Sequence, residues 1–170
     1  MTKRFPEGFL WGTATSSFQV EMGRGSPSKD SDWWAWVHDD ENIRRKIVSG
    51  DTPEDGPGSW ELYEEDFRLA KKELGNNAIR ISIDWARIFP NPTTGVEVEV
   101  TRDEHGDVSH VEVNEGGLRE LQGLTDPEAV EGYREILQEA KRRELTVILT
   151  LYHWIFFRYF QCKTRPIFPV

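Results

Sequence analysis

The stretch Ala78-Ile-Arg-Ile-Ser-Ile-Asp-Trp85 decides the fold. Ile79, Ile81, Ile83 and Trp85 alternate with Arg80, Ser82 and Asp84, the period-two pattern of a strand with one apolar and one polar face. Just upstream, Trp60, Tyr63, Phe67, Ala70 and Leu74 recur at helical spacing. Ser59 is expected to cap this helix, and Glu61, Glu64 and Glu65 suit its positive first turn. Lys71 and Lys72 suit the negative last turn, and Gly75 ends it. The same helix-then-strand unit returns downstream. Asp126-Pro127 opens a helix whose Val130, Tyr133, Leu137 and Ala140 share a side, Lys141, Arg142 and Arg143 close it, and Thr146 to Trp154 follows as a mostly apolar strand.

With Phe9 to Ser17 as an earlier strand, this order predicts parallel β/α architecture. Between the two units, Val96 to Val100 and Val108 to Val113 alternate strictly around Arg102 to Asp107, a β-hairpin inserted in the connection with glutamates on its exposed face. About three parallel strands are too few to close a barrel. In an eight-stranded barrel of about 250 residues or more, this chain would supply the opening part.

Composition narrows the function. The 170 residues carry 21 Lys+Arg against 30 Asp+Glu, and this acidity argues against a nucleic-acid partner. Cys162 is the only cysteine, which excludes an internal disulfide framework and fits a reducing cytosol. The start, Met1 to Trp11, has a basic tip but no unbroken apolar run, so no secretory signal is read and a cytoplasmic location is expected. Leu145 to Phe160 falls short of the roughly 20 apolar residues of a membrane span and is interrupted by His153 and Arg158, so no membrane partner is expected. Residues 155–170 differ from the body, with no acid, three bases, the single Cys and four of the nine Phe. Two segments follow: 1–154 as the barrel part and 155–170 as an unrelated-looking tail, as a frameshift or truncation would produce.

Active groups of a β/α barrel sit where strands run into loops at the C-terminal face. The candidates are Gln19, Arg80 with Asp84 and Trp85, and His153 with Trp154. Gln19 can hydrogen-bond two vicinal hydroxyls through its carbonyl and amide, although a loop Gln can simply face water. Arg80 on an otherwise apolar strand needs an anionic partner and can keep a carboxylate ionised; a buried ion pair to Glu21 or Asp84 would satisfy it equally. His153 offers a donor to a hydroxyl and Trp154 a ring for the apolar face of a sugar. Most of the seven tryptophans are expected in the core, Trp60 and Trp85 foremost. His105, His110, Asp103 and Asp107 lie in a polar hairpin without a metal-ligand spacing, so a solvated turn is the better reading. No Walker loop or dinucleotide fingerprint occurs, and no cofactor is expected.

Three ordered motifs add a resemblance. Phe9-Leu-Trp-Gly-Thr-Ala-Thr-Ser-Ser-Phe-Gln-Val-Glu21, Arg80-Ile-Ser-Ile-Asp-Trp-Ala-Arg-Ile-Phe-Pro90 and Tyr152-His153-Trp154 resemble glycoside hydrolase family 1. Asp32 to Asp39, Gly50 to Gly58 and the inserted hairpin look most like its archaeal-type β-glycosidases, which act on β-galactosides and β-glucosides. The resemblance spans residues 5–154. It implies a (β/α)8 TIM barrel, often oligomeric, and retaining hydrolysis by two glutamates about 5 Å apart. It further implies that Gln19 and His153 bind glycone hydroxyls, that Trp154 walls the same subsite and that Arg80 lies against the nucleophile's carboxylate. The family's Asn-Glu-Pro and Glu-Asn-Gly motifs, which carry those glutamates, are not in this sequence. Glu115 and Glu41 mimic them but precede the His-Trp motif, so neither is catalytic. The 170-residue chain is therefore expected to be inactive alone, and the alternative is a non-catalytic carbohydrate-binding or interaction fragment.

Overall fold

A computed structural model describes residues 4–23, 25 and 28–155. Strand β1 (Gly12–Ala14) leads into a single-turn helix α1 (Ser17–Val20), then α2 (Asp32–Val37), α3 (Asp40–Arg44) and the long α4 (Ser59–Lys72). Strand β2 (Ala78–Ser82) runs into α5 (Trp85–Ile88). The hairpin strands β3 (Glu99–Arg102) and β4 (Val108–Glu112) come next, followed by α6 (Glu115–Gly123), α7 (Pro127–Arg142) and β5 (Thr146–Thr150). Among the described residues β1, β2 and β5 form one parallel sheet in the order β1-β2-β5, with Ala14 beside Arg80 and Arg80 beside Ile148. This is a partial α/β sheet without a closed barrel. No described helix is long and apolar enough to cross a membrane.

The alternation in β2 sorts its two faces as expected. Ile79, Ile81 and Ile83 are buried with Phe67 of α4, with Tyr133, Ile136 and Ala140 of α7, and with Leu145, so this face is turned to the helix layer. Burying each such large apolar side chain contributes about 1.5–3 kcal/mol. Arg80 and Ser82 occupy the opposite face, which would be the interior of a barrel.

Several boundaries shift for tertiary reasons. Gly58, at φ 72°, occupies the N-cap of α4, and Ser59 is instead the first helical residue, its hydroxyl donating to Asp66 at 2.6 Å. Leu74 is 65% exposed because α4 ends at Lys72 with Glu73 as its C-cap, which takes Leu74 off the helical face before Gly75 at φ 68° turns the chain toward β2. The buried stripe of α7 runs through Ala129, Tyr133, Ile136 and Ala140, so Val130 and Leu137 flank the core. The first strand is short because the Ser17 amide donates to Ser82 Oγ at 2.8 Å, which starts α1. Asp84 ends the run expected through Trp85 by capping α5 at the Ala86 amide. The last strand stops at Thr150, and the indole of Trp85 donates to the Leu151 carbonyl beyond it. In the hairpin Glu99 pairs with Glu112 and Val100 with Val111, and both strands are exposed throughout. The change of composition at 155–170 lies, apart from the buried Ile155, outside the described residues.

Gly132, in the middle of α7, has a packing cause that the sequence pattern does not show. A Cβ there would come within 2.5 Å of the Trp60 ring, so the glycine gives the indole a flat seat on the helix. Trp60 in turn stands edge-on to Tyr133, centroids 5.0 Å apart, and carries the Arg87 guanidinium 4.1 Å above its ring.

Candidate functional site

The polar ends of the parallel strands converge. Arg80 projects from the middle of β2, and its Nη2 lies 3.2 and 3.3 Å from the two ring nitrogens of His153, in the turn after β5. The pairing follows from register, since β2 and β5 run in the same direction and their C-terminal ends coincide. Arg80 Nε is buried and has no hydrogen-bond partner among the described residues. A guanidinium is planar and carries five donors, so this orphaned N–H is aimed where an acceptor is absent. The alternative of an ion pair from Arg80 to Glu21 or Asp84 is not what forms. Glu21 takes Arg87 instead, Nε to Oε2 at 3.3 Å.

Gln19 sits exposed on α1, which is pinned to the end of β2 by Ser17 and Ser82: besides the amide bond, Ser82 Oγ donates to Ser17 Oγ at 3.2 Å. Trp154 is 69% exposed and has φ 67°, a left-handed conformation rare for a side chain of this size. Its carbonyl accepts the indole N–H of Trp33 at 3.0 Å. Trp33 belongs to α2, and its ring lies 6.1 Å from that of Phe18, the residue before Gln19. Arg80 and His153 are thus in direct contact, whereas Trp154 is linked through Trp33 to Phe18, the residue before Gln19. Trp60 is structural, as expected; Trp85 is half-buried and stacks on Phe89 at 5.6 Å.

Beneath these residues lies a buried polar cluster. The Tyr133 hydroxyl accepts the Asp84 amide at 2.8 Å and faces both Glu21 oxygens at 3.0 Å, so one side chain of α7 ties the segment after α1 to the end of β2. Burial pushes the Glu21 carboxyl up to about 8, with Asp84 adding to the shift while Arg87 and the Tyr133 hydroxyl oppose it. Burial also raises Asp84, and it raises Tyr133 well above the ordinary phenol range. Sequence reasoning placed Tyr133 on the core face of its helix but could not see that its hydroxyl serves two residues far away in the chain. The signal available was chemical: a Tyr on a buried stripe must find a partner for its O–H.

A parallel sheet backed by helices, with polar groups gathered near its C-terminal strand ends, defines a β/α protein. The glycosyl hydrolase family 1 profile matches residues 1–101 of the chain. A β-galactosidase of Sulfolobus acidocaldarius is 44% identical over 152 residues, covering 88% of this chain and 31% of that protein. The β-glycosidase from the hyperthermophile Thermosphaera aggregans superposes with a TM-score of 0.89 at 44% identity, over 94% of this chain and 33% of that one. A hyperthermophilic β-glucosidase from Pyrococcus furiosus gives a TM-score of 0.86 at 47% identity, over 94% and 34% respectively. The chain belongs to glycosyl hydrolase family 1. It spans about a third of the length of these relatives.

Proposed function

We propose that this chain supplies the glycone-binding side of a β-glycosidase active site, in the opening part of a (β/α)8 TIM barrel whose substrates are β-galactosides or β-glucosides. The observation that carries the reading is the Arg80–His153 pair with its buried, unpartnered Arg80 Nε. A cation held in the middle of β2 beside the His153 turn, with a buried donor still unpartnered on the interior face, suits a catalytic carboxylate that must remain ionised to attack an anomeric carbon. His153 and Gln19 bind sugar hydroxyls in this reading, and the exposed Trp154 ring walls the subsite. No cofactor is called for.

In retaining hydrolysis one carboxyl protonates the leaving oxygen while the second forms a glycosyl–enzyme bond that water then cleaves. The motifs that carry this pair in the family are not in the 170-residue sequence, and Glu41 and Glu115 are exposed on other elements, α3 and α6. The polypeptide of these residues alone is accordingly inactive, with residues 1–154 as its barrel portion and 155–170 set apart by composition alone. The test is turnover of a nitrophenyl β-galactoside by purified chain free of host glycosidase, beside a galactose titration. Binding without turnover is expected. Turnover at the rate of a complete glycosidase would overturn the assignment of the missing carboxylates, and absence of binding would overturn the subsite. A second reading, a non-catalytic sugar-binding fragment, is favoured by the lack, among the described residues, of a carboxylate bonded to Arg80; the same pair of assays separates the two when the remaining barrel strands are supplied in trans, since only the first then gains turnover.

A further inference from the structure

We propose that Trp33 is a positioning residue that joins the loop after β1 to the loop after β5, setting Trp154 against the sugar. The inference rests on the sugar-site reading above and names a residue that reading does not use. Trp154 reverses the chain at φ 67°, so that its own ring points outward while Ile155, the next residue, is buried at 1% exposure. Such a turn leaves the Trp154 carbonyl needing a donor, and the Trp33 indole N–H supplies it at 3.0 Å.

Trp33 can hold that carbonyl because its own backbone is fixed. The fully buried Ser31 caps α2 by accepting the Trp34 amide at 3.1 Å, and Asp32 Oδ1 accepts the Trp33 amide at 2.9 Å. On its other side the Trp33 ring meets Phe18, whose neighbour Gln19 is the second sugar-facing group, on a helix anchored at Ser82. One indole therefore bridges residues 18 and 154, and the geometry makes Gln19 and Trp154 move together rather than as independent loops.

Hydrogen exchange followed by NMR on the 170-residue chain tests the bridge. In the unaltered chain the Trp33 indole N–H is expected to be protected. Trp33→Phe, which keeps an aromatic ring and removes the donor, is expected to speed exchange at amides 152–155 and 18–20 about fivefold, the factor equivalent to a net hydrogen bond of about 1 kcal/mol. Exchange in β2 should stay as it was, which a general loss of stability would not allow. Unchanged exchange at 152–155 in a variant with intact β2 protection would overturn the proposal. If the variant does not fold, the unaltered chain decides, because an unprotected Trp33 indole N–H overturns it too. Galactose titration separates the two levels of inference: affinity about fivefold weaker in Trp33→Phe supports the positioning role, and equal affinity refutes it. An unaltered chain that shows indole protection but no galactose binding refutes the sugar-site reading while leaving the bridge standing.

Discussion

Tyr133→Phe removes a single oxygen from the centre of the buried cluster, and the structure sets the size of the effect. The ring is kept, so the edge-on contact with Trp60 and the core packing around Ile79, Ile81 and Ile83 are preserved. What is lost is one acceptor for the Asp84 amide and one donor to the Glu21 carboxyl. The Asp84 amide is left buried without a partner at a cost of about 1–3 kcal/mol, while Glu21 keeps its bond from Arg87 and loses one net hydrogen bond of about 0.5–1.5 kcal/mol, so the variant is expected to lose roughly 1.5–4.5 kcal/mol. Against a typical domain stability of about 5–15 kcal/mol this is a large fraction. The loss should also depend on pH. The Tyr133 hydroxyl favours the ionised form of Glu21, whose carboxyl sits at about 8, so at pH 6 the group is mostly neutral and the hydroxyl matters less than at pH 9. The extra loss at pH 9 is bounded at about 1.4 kcal/mol for every pH unit by which the substitution raises Glu21 further. Urea unfolding at both pH values, followed by tryptophan fluorescence and circular dichroism, measures it. A change below about 0.5 kcal/mol, or the same change at both pH values, would refute the role given to the hydroxyl.

Three further outcomes are expected. Because the folded state holds a proton on Glu21 up to about pH 8 while the unfolded chain releases it near 4.5, stability should fall as pH rises through that window, by at most about 1.4 kcal/mol per unit. Glu21→Gln should flatten this slope in denaturant titrations, and an unaltered slope would assign it elsewhere. Gly132→Ala gains about 1 kcal/mol of helix propensity but drives a methyl into the Trp60 ring, an overpacking worth about 1–3 kcal/mol, so thermal melting should show a lower Tm; a higher one contradicts the seat. Ile148 and Leu149 are both exposed on β5, an outer strand of the described sheet, so Ile148→Lys should reduce self-association in light scattering, and no reduction would mean that this strand is not the contact.

The β/α order, the inward and outward faces of β2, the hairpin and the helix ends at Lys71–Lys72 and Lys141–Arg143 were legible because they depend on local periodicity and on charge near helix termini. Arg80 and His153 were legible as candidates for the same reason: a charged or polar residue on an apolar strand, or at its end, stands out against its neighbours. Their contact was not, since it joins residues 73 apart in the chain and depends on β2 and β5 lying side by side in register. The pairing of Glu21 with Arg87 rather than Arg80 was equally hidden, because an acid and a base can be matched by distance only after the chain has brought them together. Trp33 and Tyr133 both looked like core residues; Tyr133 is one, and Trp33 is half-buried. Their N–H and O–H groups acquire purpose only in the folded molecule, where burial removes water as a partner and leaves the Trp154 carbonyl, the Asp84 amide and the Glu21 carboxyl as the groups within reach.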